Sequence, residues 1–189
     1  MVFAMITWGY SWVGAKILGP NGHVSTKIFL RFFFASIALI PILLKYHIPF
    51  RIDKKGFIFI LWNSISLCLY NYFYFKSTHM GLAGVGGVLV TTLNPILTSL
   101  FVFSFLDRSS AKLKEFFGLI MGLTGGGIIM RLWEMDIALM ISSGNIFYIL
   151  ASCSWVSVTI ASQKSKTHIH FLTYSFWSFL SASLFSLSF

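Results

Sequence analysis

The sequence predicts an all-α, polytopic membrane bundle of about seven transmembrane helices. Three observations lead there. Hydrophobic residues make up 57% of the chain and charged residues 10%, with a mean hydropathy of +0.82. A soluble domain carries about 25% charged residues, so there is too little charge here to coat a water-facing surface. Seven apolar runs nearly free of charge can be cut from the 189 residues, each close to the roughly 20 residues that cross a bilayer. Finally, the basic residues collect between these runs. The net charge of +9 therefore reads as anchoring at the membrane surface and not as a nucleic-acid footprint. The expected partners are membrane lipid and a small solute, with no nucleic acid.

Span 1 is expected over Val2–Leu18, with Trp8, Tyr10 and Trp12 in its middle and Lys16 placed to snorkel at its end. It follows Met1 without a basic leader or a small-residue cleavage pattern, so a retained helix is expected and not a signal peptide. Span 2 covers about residues 28–46, with Arg31 as an anchor one turn inside. Span 3, about residues 56–75, holds Asn63, Tyr70 and Asn71 seven or eight positions apart, hence on one helix face. Amides facing lipid are costly, so this face is expected to look inward, as glue between helices or as a ligand wall.

Span 4 organises the chain. Residues 81–106 carry no charge, open on Gly81, Gly84, Gly86 and Gly87, and place Thr91, Thr92 and Asn94 before Pro95. Proline removes an amide donor and crowds the preceding turn, so a kink and a free carbonyl are expected there. In hydrocarbon such a break is tolerated inside protein or beside a wet cavity. Span 5, about residues 116–130, has Gly118, Gly122 and Gly126 at four-residue steps, a ridge for close helix packing. No strand precedes these glycines and no Lys-Ser/Thr follows, which excludes a phosphate loop. Residues 131–143 form a mixed linker, span 6 covers 145–163 and span 7 about 171–189. Cys68 and Cys153 lie inside apolar runs and read as core residues with no disulfide role. His168 and His170, two apart on a loop with no third ligand beside them, read as solvated, so no metal or cofactor is expected.

Sliding the chain by 147 positions lays span 6 on span 1. Ala4, Trp8, His23 and Thr26 then meet Ala151, Trp155, His170 and Thr173, and Phe29, Phe32, Ala35 and Ser36 meet Phe176, Phe179, Ala182 and Ser183. A repeat unit with an odd number of spans enters the membrane upside down on its second pass. Inverted repeats of this kind mark secondary transporters, with the substrate site near the midplane between the copies. The expected division is a first five-helix repeat over 1–131 and the first two helices of a second over 144–189. Alternate connections hold nine Lys and Arg on the N-terminal side against five on the other, which predicts a cytoplasmic N-terminus.

The ordered set Trp8-Gly9 and Lys16, Arg31-Phe32, Tyr70, Phe75-Lys76, Gly81-Leu82-Ala83, Pro95, Gly118, Gly122, Gly125-Gly126, Gly144, Ala151 and Trp155 spans essentially the whole chain. In it the sequence resembles the EamA family of the drug/metabolite transporter superfamily. That resemblance implies ten helices in two inverted five-helix repeats, a central cavity, and export or exchange of small metabolites such as amino acids across the plasma (inner) membrane. Asp107 stands where the family usually has a glutamate after span 4.

The leading expectation is thus a permease, and not an enzyme, working by alternating access. Its cavity candidates are Trp8, Tyr10, Trp12, Asn63, Tyr70, Asn71, Thr91 and Asn94. Aromatic walls with a few amides suit amphiphilic or zwitterionic solutes. No Asp or Glu lies within any span, so a buried carboxylate proton relay is not expected. The alternative expectation is an inactive truncated or frameshifted fragment of such a carrier, because three further spans would complete the second repeat. A second copy, or the missing C-terminal half, would then close the bundle. A retinal protein would need a lysine in span 7, which has none.

Overall fold

The computed structural model describes residues 2–18, 22–81, 83–105, 113–130, 132–134, 136 and 144–188. These form seven α-helices: α1 (Val2–Leu18), α2 (Val24–Lys45), α3 (Lys54–Met80), α4 (Ala83–Phe105), α5 (Leu113–Met130), α6 (Ile146–Ser165) and α7 (Phe171–Ser186), with a 3-10 turn at Leu132–Glu134. No strand occurs among the described residues. Helices α2, α3, α4 and α6 are long and apolar enough to cross a bilayer. At 17 and 16 residues, α1 and α7 stand at the short end of the range for a spanning helix.

Helix α3 runs five residues past the expected end at 75. The extension is polar, and tertiary contacts hold it. Ser77 Oγ donates to Gly144 O at 2.9 Å, and the Lys76 ammonium lies 4.5 Å from the centroid of the Phe147 ring. Asp107, and the Arg108 that follows it, lie outside the described residues.

The chain divides into two compact units, Met1–Asn21 with Phe73–Val156, and Gly22–Tyr72 with Ser157–Phe189. In the second unit α2 packs along α7. Each of these helices starts one residue after a histidine in extended backbone, His23 at φ −68° and His170 at φ −63°. The histidines are 147 positions apart, and the helices share further detail. Ser36 Oγ donates to Phe33 O at 2.8 Å, and Ser183 Oγ to Leu180 O at 2.7 Å. Phe32 stacks on Phe179 with centroids 5.5 Å apart. Phe32 and Phe179, themselves 147 positions apart, are thus in direct contact.

Helix α2 ends in a Schellman turn. His47 takes φ 52°, so that Ile48 N reaches Leu43 O at 3.0 Å and His47 N reaches Leu44 O at 3.2 Å. Pro49 follows and cannot continue the helix. Two side chains of α7 hold the loop: Thr173 Oγ1 donates to Pro49 O and Trp177 Nε1 to Phe50 O. Asp53 then caps α3, its carboxylate accepting from Gly56 N at 2.7 Å. Ile60, Ile169 and Tyr174 form a buried apolar cluster at this end. Further along, Ser64 Oγ reaches Ser178 O and Cys68 Sγ reaches Ala182 O, one helical turn apart on both helices.

In the first unit α1 packs on α4, and α4 on α5. The Lys16 ammonium donates to His79 O at 3.2 Å and Gly81 O at 2.7 Å. Those carbonyls close the C-terminus of α3, where a cation is favoured by the helix dipole.

Candidate functional site

The cavity candidates fall in both units. In the first, Trp12 is buried while Trp8, one turn earlier on the same face, is half-buried. Tyr10, set two residues off that face, is 73% exposed. Trp12 meets Tyr74 edge-on at 4.6 Å between centroids and Tyr148 at 5.8 Å. Tyr74 Oη donates to Ser11 O at 3.0 Å. Tyr148 is fully buried and rests on Gly86, where a Cβ would stand 2.6 Å from the phenol oxygen. The result is an aromatic wall drawn from α1, α3 and α6, seated on a glycine of α4.

Neither Tyr74 nor Tyr148 stands among the cavity residues expected from sequence. The signal for Tyr148 lay in Gly86, a small residue in an uncharged helix, which marks where another residue presses close without naming it.

Helix α4 continues as helix through Pro95. Proline has no N–H to offer the carbonyl of Thr91. The Thr91 side chain is exposed and donates to Gly87 O and Val88 O. Asn94 is only 7% exposed, and its Oδ1 has no hydrogen-bond partner among the described residues. Gly87, Thr91 and Asn94 follow one face of α4, and a Cβ at Gly87 would be 3.9 Å from Trp12.

The three α5 glycines differ in surroundings. A Cβ at Gly126 would lie 2.6 Å from Thr92 Oγ1 on α4, whereas at Gly118 and Gly122 it would meet nothing within 4 Å among the described residues. The α4–α5 seam therefore closes at Gly126.

In the second unit Asn63, Tyr70 and Asn71 are all buried. Asn71 Nδ2 donates to Leu67 O at 2.8 Å, while Oδ1 of Asn71 and Oδ1 of Asn63 have no partner. Asn71 is 1% exposed. A buried acceptor left unmade costs about 1–3 kcal/mol. The inward face of α3 therefore holds hydrogen-bonding capacity that helix packing leaves unspent.

The loop histidines are exposed and engaged locally. His168 stacks on Phe59 at 5.7 Å, and His170 Nδ1 accepts from Leu172 N at 3.3 Å, capping α7. Chemically, the described residues offer neutral acceptors and aromatic faces inside the helices.

A family model described as the EamA-like transporter family matches residues 1–131. No curated protein and no solved structure matches the chain.

Proposed function

We propose, from the premise that this chain belongs to the EamA-like transporter family of the drug/metabolite transporter superfamily, that it carries small amphiphilic or zwitterionic metabolites such as amino acids. Members of that family are multi-pass membrane transporters and not enzymes. The finer reading is a plasma-membrane permease with a cytoplasmic N-terminus. It exports or exchanges solute by alternating access between an inverted repeat over 1–131 and its second copy beginning at 144. The shared start, serine hydrogen bond and phenylalanine contact of α2 and α7 support that division.

One observation carries the solute class: Asn63, Asn71 and Asn94 each bury an amide oxygen with no partner among the described residues. Such oxygens accept from N–H groups, and an amino group supplies up to three. No carboxylate lies within an expected span to compete for it. Tryptophan and tyrosine faces also suit a cationic head by attraction to the ring. Uptake of radiolabelled amino acids into vesicles holding the purified chain tests this. The expected result is saturable flux that falls at least about tenfold in Asn94→Leu, an amide interaction with a charged donor being worth about 1.5–3 kcal/mol. Flux no greater than in empty vesicles for every amino acid tried would overturn it.

A further inference from the structure

The loop between α2 and α3 borders an open groove that the transport reading does not use. Its volume is about 620 Å³, within the roughly 300–1,000 Å³ of small-molecule sites, and its lining includes Phe50, Phe57, Ile58 and Trp177 with Lys54 and Asp53. Phe57 and Ile58 are 51% and 62% exposed and lie in the first turn of α3, a helix apolar enough to span the membrane. The indole N–H of Trp177 is already committed to Phe50 O, so the ring presents an apolar wall. The apolar part of the groove thus lies at the start of a helix long and apolar enough to span a bilayer.

Lys54 brings a cation into the lining beside Asp53, and Arg51 and Lys55, exposed next to lining residues in the sequence, flank the groove. One oxygen of Asp53 is spent on Gly56 N at the start of α3, which leaves it little capacity to neutralise its neighbours.

We propose that this groove seats one anionic phospholipid, its phosphate against Arg51, Lys54 and Lys55 and an acyl chain across Phe57, Ile58 and Trp177. Phospholipid is the most abundant amphiphile around a membrane-spanning helix, and anionic headgroups gain from each juxtamembrane cation. A protein partner would need a larger apolar face. A free phosphate would leave the aromatic wall without a role.

The test is native mass spectrometry of the full chain in detergent, with phosphatidylglycerol or phosphatidylcholine of matched acyl chains. Phosphatidylglycerol should bind at least about tenfold tighter than phosphatidylcholine. The triple variant Arg51→Gln, Lys54→Gln, Lys55→Gln should lose that preference. These side chains are exposed, so helical content by circular dichroism should stay unchanged. Ile58→Trp, which fills the groove and alters no charge, should weaken phosphatidylglycerol as well, while millimolar glycerol phosphate should leave the bound lipid in place. Equal binding of both lipids would overturn the proposal. So would undiminished binding to Ile58→Trp, which would make the effect diffuse surface charge, and so would displacement by glycerol phosphate.

Discussion

Replacing Gly86 by alanine isolates the contact on which the aromatic wall rests. The added methyl would sit 2.6 Å from Tyr148 Oη and closer still to the ring carbons Cζ and Cε1. Tyr148 cannot swing aside freely, because Trp12 packs on it and no part of it reaches solvent. Overpacking of this kind costs about 1–3 kcal/mol. Alanine returns about 1 kcal/mol in a helix interior through its lower backbone entropy. The net expectation is a loss of up to about 2 kcal/mol. Gly84, two positions earlier, has nothing within 4 Å of its Cβ, so Gly84→Ala should stabilise by about 1 kcal/mol. Removing the ring should reverse the sign at residue 86. In a Tyr148→Ala background, Gly86→Ala becomes favourable by about 1 kcal/mol, a coupling of about 1–3 kcal/mol. Unfolding in mixed micelles of increasing denaturing detergent, followed by circular dichroism, measures all four corners of the cycle. A stabilising Gly86→Ala in the unaltered chain, or additivity with Tyr148→Ala, would refute the reasoning.

Three further outcomes follow from the same packing logic. Gly126→Ala should cost up to about 2 kcal/mol net of the alanine gain because Thr92 stands 2.6 Å from the new methyl, and Thr92→Ala should relieve it. Gly122→Ala on the same ridge meets open space and should gain about 1 kcal/mol, so the two variants should separate in the same detergent titration. Asn94→Leu removes a buried acceptor without a partner and should raise stability by about 1–3 kcal/mol while lowering amino-acid flux. Higher flux together with lower stability would contradict the assignment. His47→Gly should stabilise by about 1 kcal/mol, since only the left-handed φ of 52° at His47 closes the end of α2. Thermal unfolding of the two chains compares them directly.

The α3 face shows what spacing alone can deliver. Asn63, Tyr70 and Asn71 repeat at helical period, and a row of amides cannot favourably face lipid, so their burial was readable from the sequence. Period could not orient the aromatics of α1. Trp8 and Trp12 share a face but Tyr10 points away from it, and three large aromatic residues in one apolar helix give composition no means to choose. The α5 glycines repeat the lesson. Their four-residue step defines a ridge, yet a ridge has no built-in partner, and only Gly126 meets one in Thr92 among the described residues. The caps were equally hidden. His170 reads as a solvated loop histidine until the backbone places Leu172 N beside its ring. Tyr74 and Tyr148 were illegible for a different reason: their contacts join α1, α3 and α6, and nothing local in any one helix announces the others.

The lysine at the end of the first helix grips main-chain oxygens at residues 79 and 81, not side chains. Side-chain replacement at either position leaves those oxygens in place, so the joint tolerates sequence drift in the turn it holds. Only loss of the ammonium or a shift of the backbone opens it.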